Sequence, residues 1–288
     1  MPETISAAFG QSTKSDAEQA GREAVKTALV RLSGKPKLAI VFGSSWLDQA
    51  PLLQGVHGVL GDVPIVGEST AGEIVPTGPT SHSCLVLLIA SEAISCSVGL
   101  GEGVDRDPRE AGQQAASAAL RGLTQSPRIG FLLFGDGLVT SYAHVVRGLQ
   151  EVLGTSSLIV GGMAGDDLRF TQTYQYAHDR VVSRAVVGAL FGGAIKLGVG
   201  MEHGFAPISK PRRITHAKAN VLLTLDGKPA ASVYEEYFGS ELVHRMQQEG
   251  LTRQTTAYPL GIQYPSRNQW LLRNVVSFGE NGSLSCTG

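Results

Sequence analysis

Apolar and polar positions along this chain follow helical and strand periods in an order that occurs twice. Residues 4–9 predict a short strand. Ala20, Ala24 and Ala28, with Val25, Leu29 and Leu32, make one helical stripe, opened by the capping-box pattern Ser15-Asp16-Ala17-Glu18. Alanines at that spacing let a helix lie close on a sheet. Residues 38–42 are apolar without alternation, the mark of a strand covered on both faces. A weaker helix pattern runs over 47–60, and 63–66 and 84–90 predict strands. Asp107-Pro108-Arg109-Glu110 then opens a second helix, with proline suited to the first helical position. Residues 129–134 predict a strand, and Ser141 caps a helix ending at Gly154 with Val145, Val146, Leu149 and Val152 inward. Strands are predicted at 158–160, 184–190 and 195–200.

The two series are related in sequence. Residues 17–36 and 108–127 share seven of twenty positions: Ala20/Ala111, Gly21/Gly112, Ala24/Ala115, Ala28/Ala119, Leu29/Leu120, Leu32/Leu123 and Pro36/Pro127. Unrelated segments share roughly one or two. Phe42-Gly43 recurs as Phe134-Gly135, Ile65-Val66-Gly67 as Ile159-Val160-Gly161, and Ala71-Gly72-Glu73 as Ala164-Gly165-Asp166. The copies span about 4–93 and 94–200. Alternating strands and helices predict an α/β fold with α+β character, its sheets mixed because each copy closes on a late antiparallel strand. A seam between such halves is a natural place for a ligand.

The repeat stops near residue 215. A strand at 220–225, a turn at Asp226-Gly227, a helix opened by Pro229, strands at 258–262 and 270–278, and a hairpin turn at Asn281-Gly282 begin something new. The expected organisation is a duplicated domain over 1–215 and a partial second α+β domain over 216–288. That second domain reads as truncated, stopping as its next strand begins.

Composition narrows the function. A net charge of −1 supplies no electrostatic footprint for nucleic acid. Lys210-Pro211-Arg212-Arg213 is the one basic cluster and reads as a solvated turn. No apolar run approaches the roughly 18 residues of a membrane span, and residues 1–16 lack a signal-peptide pattern. Cys84, Cys96 and Cys286 have no metal spacing and read as free thiols, so the expected location is the cytoplasm. The 36 glycines, about one in eight, exceed the usual ~7% and fall mostly at strand ends.

Ligands of alternating α/β sheets gather at the carboxyl ends of strands. There stand Ser44 and Ser45, the equivalent Asp136, and the glycine loops carrying Glu68, Ser69 and Thr70 in one copy and Asp166 and Asp167 in the other. Hydroxyls and carboxylates suit an amine, and free backbone N–H groups a carboxylate. Arg273, alone among apolar neighbours, calls for an acid or an anionic ligand. Gly67-Glu68-Ser69-Thr70-Ala71 approaches a serine-hydrolase elbow, but Pro76 and Pro79 forbid the helix that elbow needs. Gly99-Leu100-Gly101-Glu102-Gly103 and Gly198-Val199-Gly200 lack phosphate-loop register; as equivalents they mark close packing. Tyr234 to Phe238 forms an aromatic–acidic cluster that reads as a docking face.

Several stretches resemble the N-terminal domain of FIST proteins. They are Phe42-Gly43-Ser44-Ser45, the loop from Ile65 to Glu73, Gly161-Gly162-Met163-Ala164-Gly165-Asp166-Asp167, and His203-Gly204-Phe205-Ala206-Pro207-Ile208. The stretch from Leu225 to Tyr234 resembles the family's junction into its C-terminal domain, and Tyr258-Pro259-Leu260-Gly261 and Leu272-Arg273-Asn274 resemble parts of that domain. Family members often carry Cys where this chain has Glu68. The resemblance implies a non-catalytic sensory input module that reversibly binds a small polar ligand such as an amino acid. It needs no cofactor and acts on a signalling protein or output domain in trans, without nucleic acid or membrane insertion. Some members resemble haem-binding nitric oxide sensors, so the alternative is a haem held by His203, with His178 and His216 as further choices.

Overall fold

The computed structural model of the 288-residue chain describes residues 5–123, 127–139, 142–249, 253–263 and 270–287. Thr4, expected in a strand, and Ser141, expected as a cap, lie outside the described residues. The chain divides into two compact units, Met1–Gly200 and Met201–Gly288. Among the described residues no helix is long and apolar enough to cross a membrane.

The first unit runs β1 (Ser6–Ser12), α1 (Ala17–Arg31), β2 (Leu38–Ser44), α2 (Gln49–Leu60), β3 (Ile65–Thr70), a hairpin β4 (Glu73–Val75) and β5 (Gly78–Thr80), then β6 (Cys84–Ala90). The series then repeats as β7 (Ile94–Glu102), α3 (Pro108–Gly122), β8 (Arg128–Gly135), α4 (Tyr142–Leu153), β9 (Leu158–Met163), a hairpin β10 (Gln175–Ala177) and β11 (Arg180–Val182), then β12 (Ala185–Gly193). The copies build sheets of matching order, β1-β6-β2-β3 and β7-β12-β8-β9. In each, the late strand is antiparallel to both neighbours and the β–α–β pair is parallel, giving the expected mixed sheets.

One element breaks the symmetry. β10 leaves its own copy and pairs with β3 of the other, placing Gln175 opposite Glu68 and Tyr176 opposite Gly67. Its counterpart, β4–β5, makes a separate small hairpin.

Three cores define the layers. α1 and α2 cover one face of the first sheet, α3 and α4 one face of the second. The remaining faces meet through Leu38, Ile40, Val66, Phe134, Val187 and Ala189. Phe42 and Phe134, equivalent in the repeat, meet edge to face at 5.8 Å. This helix–sheet–sheet–helix stack buries both faces of β2 and β12, which explains their lack of alternation.

The repeated alanines, Ala20/Ala111, Ala24/Ala115 and Ala28/Ala119, are all fully buried. They lie against Gly10 and Gly99. A Cβ on Gly10 would stand 2.0 Å from the Ala24 carbonyl oxygen, and one on Gly99 1.9 Å from that of Ala115. Gly99 is thus equivalent to Gly10, not Gly198. Residues 195–200 form no strand, because the late-strand slot of the second copy is already filled by β12.

Helix starts also differ in detail. Asp16, not Ser15, caps α1, its carboxylate accepting the Gln19 N–H at 2.9 Å, because the helix begins one residue later than the capping box requires. Asp107 caps α3 identically through the Glu110 N–H at 2.9 Å. Asp107→Ala should cost about 1 kcal/mol, read as a lowered denaturant midpoint at unchanged slope.

The second unit contains β13 (Ile214–Lys218), β14 (Val221–Leu225), β15 (Lys228–Pro229), α5 (Ser232–Phe238), α6 (Ser240–Glu249), α7 (Arg253–Ala257), β16 (Leu260–Gln263), β17 (Trp270–Arg273), β18 (Val275–Phe278) and β19 (Leu284–Cys286). β13-β14-β19-β18 form one sheet and β16–β17 a separate hairpin. Pro229 does not open a helix: after the turn at Asp226 and Gly227, both at positive φ, Lys228 and Pro229 pair back onto β14. The predicted strand over 270–278 divides at Asn274, its halves joining different sheets. The hairpin turn at Asn281-Gly282 is present, Gly279 N–H bonding to the Ser283 carbonyl at 2.8 Å.

Candidate functional site

The expected ligand residues of the first unit are nearly all engaged in hydrogen bonds within it. Ser44 ends β2, Asp136 directly follows β8, and both are buried. The Ser44 carbonyl accepts from Gln49, and the Asp136 carboxylate accepts the Leu138 and Arg184 N–H groups, each at 2.9 Å. The loop after β9 then seats on the first copy. Ser45 Oγ donates to Asp167 at 3.0 Å, and Arg169 to the Ser45 carbonyl at 3.0 Å. Asp166 accepts the Thr171 N–H at 2.8 Å. Thr70 and Ser83 donate to Glu73. Ser69 is fully buried, its hydroxyl donating to the Gly165 carbonyl at 2.9 Å and accepting the Tyr174 N–H at 3.0 Å. Strand β4, not a helix, follows it, so the hydrolase elbow is not formed. These bonds tie the second copy's loop to the first copy's strand ends, ahead of the β10–β3 pairing.

Glu68 is the exception. It is 7% exposed, and its Oε2 has no hydrogen-bond partner. Burial alone pushes its carboxyl up to about 8, against an ordinary 4.5. Gln175, directly opposite on β10 and fully buried, leaves its Oε1 unpaired as well. The two orphan acceptors belong to residues at paired backbone positions of β3 and β10. A neutral Glu68 carries an O–H to donate, which is what its raised value favours. Only the swapped hairpin brings Gln175 here, so no sequence signal pointed to it.

Burial keeps the Cys84 and Cys96 thiols protonated near neutral pH. Cys84 and Cys96 are free, and burial pushes each up to about 12.

The second unit holds a cavity of about 700 Å³, within the size range of small-molecule sites. Its walls include Phe205, Tyr234, Phe238, Tyr258 and Trp270. Phe238 lies 4.8 Å from Tyr258 and 5.9 Å from Tyr234, ring to ring. The Tyr234 hydroxyl bonds to the Tyr258 carbonyl at 2.8 Å, fixing that wall. The aromatic run read as a docking face is therefore part of a cavity lining. Arg212 also lines it and departs from the solvated-turn reading: its side chain is only 19% exposed and pairs with Glu236. Its Nε is buried and unpartnered. Arg273, in the same unit, is not among the lining residues and donates to the Leu272 carbonyl at 2.9 Å.

A second, more open hollow of about 390 Å³ lies beside α2 and β11. Neither hollow is lined by Ser44 or Asp136.

His203 lines the larger cavity, and both its ring nitrogens have contacts. Nε2 faces the Trp270 carbonyl at 3.2 Å and Nδ1 accepts the Phe205 N–H at 3.4 Å, so an axial bond to a haem from Nδ1 would displace that N–H. His178, in the β10–β11 turn, and His216, on β13, are exposed. Among the described residues no group of three His, Cys, Asp or Glu is placed to hold a metal ion.

Comparison with known proteins bears on the chain as a whole. The family model of the FIST N domain matches residues 37–228. An uncharacterized protein of Methanocaldococcus jannaschii is 29% identical over 214 residues, 68% of this chain; the chain spans 40% of that relative's length. Among solved structures, a cyanuric acid hydrolase from A. caulinodans matches 66% of this chain and 68% of its own at 10% identity and a TM-score of 0.36. A second cyanuric acid hydrolase structure matches 67% and 70% at 11% identity and a TM-score of 0.33. Likeness that weak carries no argument about activity.

Proposed function

The chain belongs to the FIST N domain family, whose members are generally sensory, and on that premise we propose that it is a sensory input module that reversibly binds a small molecule. One observation carries the reading: an aromatic-walled cavity of about 700 Å³. Ser45, Asp167 and Ser69 bond between the two copies, and Thr70, Asp136 and Asp166 bond within their own copy. Glu68 Oε2 is left without a hydrogen-bond partner.

Amino acids, the class the family resemblance implies, are the first compounds to test, together with their acid and amide relatives. A ligand biases a partner only if it binds one state better than another. The signalling protein it acts on in trans would therefore read the conformation of the segment 203–212 around the cavity.

The chain has two tryptophans, Trp46 and Trp270, of which Trp270 lines the cavity. Trp46→Phe thus leaves one fluorescent reporter at the site. At about a hundredfold excess over Kd a ligand stabilises by about 2.7 kcal/mol, a readily measured rise in Tm. At least one compound of the panel should both raise Tm and change Trp270 emission. A panel in which none does either removes the proposal.

A further inference from the structure

β9 is the last strand of the second sheet, and its outer edge is open. The Ala164 N–H turns inward, to the Gly135 carbonyl at 2.8 Å. Backbone groups alternate in direction along a strand, so Gly162 and Val160 also face β8. Met163, Gly161 and Ile159 then point their N–H and C=O groups away from the sheet. Among the described residues no backbone partner meets those outward groups, and Gly161 and Met163 are exposed.

The first copy shows what such an edge takes. Its equivalent strand is β3, with Ile65, Gly67 and Ser69 in the places of Ile159, Gly161 and Met163. There the outward groups are met by the antiparallel β10: the Ser69 N–H bonds to the Tyr174 carbonyl at 2.8 Å and the His178 N–H to the Ile65 carbonyl at 2.9 Å. The matching hairpin of the first copy does not return the exchange. Residues 71–83 are a shorter connection than 164–184, β4 and β5 pair with each other, and Thr70 and Ser83 hold Glu73 at the end of their own sheet.

β9 also lacks the devices that keep exposed edges apart. Residues 158–163 carry no charge and no proline, and their register with β8 has no bulge. The run complements itself when reversed about Gly161, which sets Ile159 opposite Met163 and Val160 opposite Gly162. Leu168 and Phe170, exposed in the loop that leaves the strand, extend the apolar surface.

We infer that β9 of one chain pairs antiparallel with β9 of a second copy, about a two-fold axis at Gly161, joining two four-stranded sheets into one. Gly161 of each copy takes the place that Tyr176 holds opposite Gly67 in the first sheet.

Sedimentation equilibrium of the full chain should show a monomer–dimer equilibrium. Met163→Pro removes an N–H that faces away from β8, so it should weaken dimerisation at least tenfold while circular dichroism stays that of the wild type. Met163→Ala keeps that N–H and should weaken it far less. A chain that stays monomeric up to about 100 μM overturns the inference, as does a dimer that Met163→Pro leaves intact. If Met163→Pro fails to fold, amide hydrogen exchange of the wild type decides. The Ile159, Gly161 and Met163 amides should gain protection as concentration rises, and exchange independent of concentration overturns the inference.

Discussion

Gly99→Ala is expected to destabilise the first unit by about 3 kcal/mol or more. The added methyl would sit 1.9 Å from the Ala115 carbonyl oxygen and 2.8 Å from the Ala119 nitrogen. Both are helix backbone atoms, so no rotamer change relieves the clash. α3 must move off β7, and its buried Ala111, Ala115 and Ala119 go with it. Overpacking against side chains costs about 1–3 kcal/mol, and a backbone obstacle places this change at or above that range. Gly10→Ala should cost a similar amount, because its methyl would meet the Ala24 oxygen at 2.0 Å. Denaturant unfolding of both variants checks this. If either loses less than about 1 kcal/mol, the helix does not rest on the glycine strand as described.

The second large effect concerns pH. Unfolded, Glu68 ionises near 4.5; folded, it keeps its proton to about 8. Between those values the native state binds the additional proton, so stability falls as pH rises through the window and levels off above about 8. At about 1.4 kcal/mol per pH unit the full loss is on the order of 3–5 kcal/mol. Glu68→Gln removes the ionisation and supplies an N–H that can face the orphan Gln175 oxygen across the strand pair. The variant should therefore gain stability relative to wild type from pH 5 to pH 9, reaching a few kcal/mol at the alkaline end. Unfolding curves at the two pH values decide it. Parallel losses in wild type and variant would mean that Glu68 is ionised in the folded protein.

Much of the first unit is readable without coordinates, for a local reason. The stripe of Ala20, Ala24 and Ala28 and its copy at Ala111, Ala115 and Ala119 describe a helix pressed on a sheet, and all six are buried. Residues 38–42, apolar throughout, fall in a strand covered on both faces. Errors arose where two local signals compete. Ser15 and Asp16 both suit a cap, and the helix register chose Asp16. Residues 195–200 have strand composition, but β12 already occupies the place.

The candidate site was less legible because its decisive contacts join residues distant in sequence. Glu68 meets Gln175 only because β10 crosses to the other copy's sheet. Arg212 reads as a surface charge until Glu236, on α5, is placed beside it. Serines, threonines and aspartates at strand ends suit ligands and turns equally well. Only their partners show that Ser45, Asp167 and Ser69 hold two loops together.

Local pattern and internal repetition were enough to establish the element order, the duplication and the mixed sheets, because helical stripes and strand runs depend on neighbours a few residues away. The crossing of the β10–β11 hairpin to the other copy's sheet, the juxtaposition of Glu68 and Gln175 and the aromatic cavity emerged only in three dimensions. Each depends on pairings across tens of residues, and a one-residue slip of a strand would turn every one of its side chains to the opposite face.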